Sequence, residues 1–146
     1  MAKYLLDHGA LMPRFDFLAF NSLVHKKREL LDLLLAQGMD PNASYMDTGR
    51  RFVDLYITGD FPGGVQALVE HGADVNTKSS EGGDTPLIFA ARKGHVDLAR
   101  LLLQKGADIS AKDNAENDAL FYAEKNGHVE IAEMLRLAAQ GNRPTH

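Results

Sequence analysis

The chain has 146 residues, 45 % of them apolar and 25 % charged, with no cysteine and a formal charge of -4. That suits one compact domain or a short repeat array, and it excludes disulfides, thiolate catalysis and cysteine-ligated zinc. The net charge argues against a nucleic-acid partner, which needs a concentrated positive field, and no window approaches the roughly 18 uninterrupted apolar residues of a membrane span.

In chain order, MAKYLLDHGA opens without the basic flank and long apolar core of a signal peptide, so a cytoplasmic location is expected. LLDHGA at 5–10 reads as the end of a helix that buries leucines and stops at a glycine. PRFDFLAFNSLVHKKRELLDLLLAQG then gives two helices joined by the basic turn HKKRE at 25–29, read as a solvated turn. RRFVDLYITGDFPGG predicts a further helix, a joint at Phe61 and a second helix opened by Pro62, whose missing N–H costs nothing there. GDFPGG lacks the Lys-Ser/Thr pair that completes a phosphate loop.

TPLIFAARKGHVDLARLLLQKGAD at 85–108 is the most regular stretch. Thr85 is placed to cap a helix and Pro86 to open its first turn. GHV is a short joint, with His95 and later His128 placed to bond nearby backbone and tie it down. Leu87, Ala90, Ala91, Val96, Leu98, Leu101 and Leu102 should be buried, and Leu120, Ala123, Val129, Ile131 and Leu135 take the same places one unit later. At the C-terminus Arg136 replaces a leucine and Ala139 a glycine, a polar finish that suits a capping helix, with GNRPTH as a frayed tail.

One phrase is written four times: LLDHGA, LLAQGMDPN, LVEHGADVN and LLQKGADIS. Its glycines, Gly9, Gly38, Gly72 and Gly106, are spaced by 29, 34 and 34 residues. AARKGHVDLARLL also matches AEKNGHVEIAEML at a spacing of 33. With this period and the pattern TPL…GH…LLxxGADvN, the sequence resembles ankyrin repeats, most strongly over 76–135. The resemblance implies an all-α, ankyrin-type helix-turn-helix solenoid with short β-hairpin loops and about four units. Its parts are a half unit or N-cap at 1–12, a shortened unit at 13–41 and a degenerate unit at 42–75. A regular unit at 76–109 and a C-terminal capping unit at 110–146 complete a single repeat domain. The family's histidine in TPLH is missing: Asp54, Ile88 and Phe121 stand there, so any ladder of histidine bonds is replaced, in part by apolar contact.

Catalytic constellations do not emerge. The six histidines recur in structural phrases instead of gathering, and the acids are scattered over helix faces and loops. No enzyme activity, cofactor or metal is therefore expected. The resemblance places partner docking on the hairpin tips and the ends of the first helices. Mapped onto this chain, those are Tyr45, Met46, Asp47 and Arg50 in one finger. Lys78, Ser80, Glu81, Asp84, Arg92 and Lys93 form the next set, and Lys112, Asn114, Asn117, Lys125 and Asn126 the last. Tyr45 and Met46 read either as apolar anchors for a partner or as side chains folded back on the neighbouring unit. The expected function is non-catalytic binding of a folded protein through the concave, finger-bearing face, by a chain that is monomeric when free. Two alternatives are a dedicated inhibitor, such as an antitoxin-like immunity protein for one enzyme, and a regulatory fragment of a larger effector, which the half-unit start motivates.

Overall fold

The computed structural model describes residues 12–45 and 48–141, with side chains from Phe17 onward. The half unit at 1–12 thus lies almost wholly outside the described residues, as do Met46, Asp47 and the tail beyond Gly141. Eight helices form within the described residues: α1 (Met12–Val24), α2 (Arg28–Ala36), α3 (Phe52–Thr58), α4 (Pro62–Glu70), α5 (Pro86–Lys93), α6 (Val96–Gln104), α7 (Ala119–Lys125) and α8 (Val129–Gly141). They pair in sequence, and the chain divides into two compact units between Ala73 and Asp74.

Local chemistry sets the helix ends. Thr85 Oγ1 accepts from the Ile88 N–H at 3.2 Å and starts α5, with Pro86 in its first turn. Asp118 does the same for α7, accepting from Phe121 N–H at 2.9 Å. The stop phrase works as its glycine suggests. Gly38, Gly72 and Gly106 have φ of 100°, 96° and 81°. Behind each, the next residue's N–H closes back on the helix: Met39 to Leu34, Ala73 to Leu68 and Ala107 to Leu102, at 2.9–3.0 Å. The aspartates that follow make the turn: Asp40, Asp74 and Asp108 each accept from the N–H two residues on, at 2.9 Å. In α8, where Ala139 stands in place of the stop glycine, the helix runs on to Gly141.

In the first unit α1 packs on α3 and α2 on α4. Phe52, Leu31, Leu68 and Tyr56 fill the space between them. The Tyr56 hydroxyl donates to Ala19 O at 3.0 Å and lies 3.1 Å from Ser22 Oγ. Burial pushes this phenol up to about 12. In the second unit α5 packs on α7 and α6 on α8, around Leu87, Ile88, Leu102 and Ile131. One pair cannot cover its own apolar face, so each depends on its neighbour.

The structure sharpens one expectation and corrects two. The hairpin loops carry little β pairing: among the described residues it amounts to an isolated antiparallel Ser44–Arg51 bridge. The other two fingers close by single backbone bonds, Ser79 N–H to Asp84 O at 2.8 Å and Asp113 N–H to Asn117 O at 2.9 Å. Asx turns and the left-handed Gly82 and Gly83 break the extended backbone before a ladder can grow. Val129 is 64 % exposed, because α8 belongs to the last helix pair among the described residues; Val96 at the same place in α6, which packs beside α8, is half-buried, as are Leu101 and Leu120. Finally, His128 bonds across to the preceding pair instead of to its own joint. Its Nε2 lies 3.3 Å from Arg92 O.

Candidate functional site

The candidate surface is the set of fingers and first-helix ends. In the first unit Tyr45 folds back. Its ring stacks on Phe20 at 5.2 Å between centroids and meets Phe52 edge-on at 5.9 Å. Its N–H donates to Arg50 O at 2.7 Å. Arg50 lies along α3, with Nε donating to Asp54 at 2.9 Å and Nη2 to Thr58 Oγ1 at 3.1 Å. Asp54, in place of the family histidine, is 3 % exposed and tolerated there by that guanidinium. Of the two readings of Tyr45, the packed one describes this chain. Met46 and Asp47 lie outside the described residues.

The second unit is built around Arg92, on the last turn of α5. Its guanidinium pairs with Asp84 at 2.7 Å and with Asp113 at 3.3 Å, and its Cζ sits 4.3 Å over the Tyr122 ring. The Tyr122 hydroxyl donates to Asp113 at 2.5 Å, and Asn117 Nδ2 lies 3.4 Å from the same hydroxyl. Asp113 also caps its own loop, accepting from the N–H groups of Ala115 and Asn117 at 2.9 and 3.0 Å. Burial raises the Asp84 carboxyl, despite the opposing pull of Arg92. Burial acts on Asp113 the same way, but Tyr122, the two backbone N–H groups and Arg92 together bring it below the ordinary carboxylate value.

Further ties join the two fingers of this unit. Lys78 Nζ donates to Lys112 O at 2.9 Å, and Asn114 N–H to Gly82 O at 2.9 Å. Asn126 Nδ2 donates to Arg92 O at 2.9 Å, and Asp108 N–H to Asn76 Oδ1 at 2.9 Å. Lys78, Asp84, Arg92, Asn117 and Asn126 are therefore tied together by their side chains as a framework, to which Lys112 and Asn114 add only backbone groups while their side chains stay exposed. Asp84 is 4 % exposed and presents no carboxylate to a partner. Ser80, Glu81, Lys93 and Lys125 stand exposed on the same unit.

Three residues escaped the sequence reading. Asp113 and Tyr122 complete the Arg92 cluster, and the run of turn formers from Asp113 to Asn117 was the available signal. Phe121, read only as a substitute in a ladder, is 42 % exposed with the Lys125 ammonium 5.6 Å from its ring. An exposed aromatic ring offers apolar area to a partner, and the neighbouring ammonium is attracted to its face.

A groove of about 270 Å³ on the last pair, lined by residues including Ala123, Gly127 and Val129, falls below the roughly 300–1,000 Å³ of typical ligand sites. Glu124 and Arg136 pair across its wall. No group of three or more His, Asp or Glu among the described residues could hold a metal ion. No described helix is long and apolar enough to cross a membrane.

Residues 55–145 match the family model for ankyrin repeats (3 copies). Among curated proteins, the chain is 40 % identical over 93 residues to a probable E3 ubiquitin-protein ligase of Oryza sativa subsp. japonica, covering 62 % of this chain and 17 % of that protein. It is 34 % identical over 109 residues to an ankyrin repeat and KH domain-containing protein of Caenorhabditis elegans, covering 73 % of this chain and 4 % of that one. It is 40 % identical over 87 residues to an alpha-latrocrustotoxin of Latrodectus tredecimguttatus, covering 59 % and 6 %. The matched region is thus a small part of each of these relatives.

Proposed function

This chain belongs to the ankyrin-repeat family, and on that premise we propose that it binds a folded protein through the finger-bearing face of its second unit, without catalysing a reaction. Ankyrin repeats are in general protein–protein interaction modules. The observation that carries the finer reading is the locked framework under Phe121. Arg92, Asp84, Asp113 and Tyr122 bond to one another across two helix pairs. A surface fixed in advance loses little conformational entropy when a partner docks.

On that frame Phe121 supplies apolar area, while Lys93, Lys125, Lys112, Glu81 and Glu116 supply exposed charge of both signs. The partner's matching patch is accordingly polar with an apolar centre, into which Phe121 inserts. The buried ionic cluster supports binding and not catalysis: each of its carboxylates already has a guanidinium or hydroxyl partner, leaving no free base beside a cavity.

The test is affinity capture from cells that encode the chain, comparing parent with Phe121→Ala/Lys125→Ala. The reading requires a protein retained by the parent and lost by the double variant, with melting temperature unchanged, since neither side chain is buried. Equal retention would move the site away from this face. Turnover of a substrate by the purified chain, abolished by one substitution, would overturn the non-catalytic part.

A further inference from the structure

Asn126–Gly127 is the one Asn-Gly step in the sequence. It forms the joint between α7 and α8, and both residues are exposed. An asparagine followed by glycine is open to attack from within the chain. With no side chain on the second residue, its backbone nitrogen can reach the carboxamide carbon of the first. Here Gly127 has φ of 73°, and an atom added at its Cβ position would meet nothing within 4 Å.

In the closed joint two hydrogen bonds oppose that reaction. Asn126 Nδ2 donates to Arg92 O at 2.9 Å, which holds the carboxamide against the end of α5. Gly127 N–H donates to Glu124 O at 3.2 Å, which occupies the proton that the attacking nitrogen must lose. The same joint aims His128. Its imidazole covers Gly94, where a Cβ would fall 2.7 Å from Cε1, and its Nε2 lies 3.3 Å from Arg92 O. The joint is therefore both the reactive step and one of the places where the last helix pair grips its neighbour.

We propose that Asn126 is a self-modifying deamidation site, guarded by the closed joint, whose conversion loosens the α7–α8 pair from α5. The Gly127 nitrogen forms a bond to Asn126 Cγ, and the Cγ–Nδ2 bond breaks. The proton from Gly127 N leaves with the amide as ammonia, giving a succinimide. Water then opens the ring on either side. Cleavage of the bond from Gly127 N to Cγ yields aspartate in an ordinary backbone; cleavage of the bond to the Asn126 backbone carbonyl carbon yields isoaspartate. No oxidant or cofactor takes part. Either product replaces the Nδ2 donor with a carboxylate facing Arg92 O, an acceptor against an acceptor. Isoaspartate also lengthens the main chain by one carbon, which displaces His128 from Gly94. Transient local opening of the joint is the step that releases the guard.

This inference does not depend on which face binds a partner. Its test uses the full chain, incubated at neutral pH in buffer and in urea, followed by peptide mapping with mass spectrometry and enzymatic methylation of isoaspartate. In urea Asn126 should convert ahead of Asn21, Asn42, Asn76, Asn114, Asn117 and Asn142, and it should convert several-fold more slowly in buffer. Asn126→Asp should lower the melting temperature by a few degrees and speed amide exchange in α8, through the lost bond to Arg92. Conversion no faster than at the other asparagines in urea would overturn the assignment of the site. Equal rates in urea and buffer would overturn the guard. An Asn126→Asp chain with parental melting and exchange would overturn the loosening.

Discussion

Gly94 and Gly106 have almost the same backbone, φ 80° and 81°, yet they answer to different constraints. At Gly106 an added Cβ meets nothing within 4 Å, so only the left-handed backbone asks for glycine. At Gly94 the Cβ would also strike the His128 imidazole. Gly106→Ala should thus cost about 1–2 kcal/mol of folding stability, the usual penalty for that conformation, and Gly94→Ala measurably more in chemical denaturation. Equal costs would mean that the imidazole moves aside freely. The two aspartates around Arg92 separate in the same manner. Asp113, held below its ordinary pKa, contributes stability that is present above about pH 4 and lost as the pH falls through its folded value. Asp84, raised by burial, has the opposite sign: its charged form is penalised in the fold, and protonation on acidification relieves that. Asp113→Asn should therefore destabilise the chain by about 1–3 kcal/mol at neutral pH and flatten the acid limb of its stability curve. Asp84→Asn should cost less. The reverse order, read from urea melts across pH, would show that the Asp84–Arg92 pair carries the cluster.

For the helices, most of the design was legible beforehand. The stop phrase LLxxGAD and the TPL start name backbone requirements, a left-handed residue and a capped first turn, that few other residues satisfy; the structure meets them at Gly38, Gly72, Gly106 and Thr85. Burial followed where the register was clear. Leu102 is fully buried between α6 and its neighbours, and Leu102→Ala should cost about 2–5 kcal/mol in a denaturant melt. A near-neutral result would deny that α6 packs by this face. The register misled at Val129, which is 64 % exposed because α8 belongs to the last helix pair among the described residues, while Val96, at the same place in α6, is half-buried beside α8. Tyr56 in α3 makes a further case. Its hydroxyl reaches Ala19 O and Ser22 across to α1, a tie that no local pattern announces. Tyr56→Phe should lose about 0.5–1.5 kcal/mol for the hydrogen bond, whereas unchanged stability would mean that water or Ser22 compensates.

Across the molecule, the finger chemistry was the part least readable in advance. Lys78, Asp84, Arg92 and Asn126 read as surface because each is polar and lies in a loop or at a helix end. Whether such a side chain faces a partner or a neighbouring repeat depends on residues far along the chain, as Arg92 depends on Asp113, 21 positions on, and Asn126, 34 positions on. Phe121 escaped for another reason: standing where the family histidine is expected, it reads as an apolar contact between units, and its 42 % exposure is set by packing that the local pattern does not carry. Binding through this face rests on that residue and its support. The direct measurement is amide exchange of the chain alone and in complex with the protein it captures, with Phe121→Ala/Lys125→Ala alongside. Protection concentrated over 77–85 and 111–126, with capture lost in the double variant, is the predicted result. Protection confined to other segments, with the partner held equally by the variant, would contradict it.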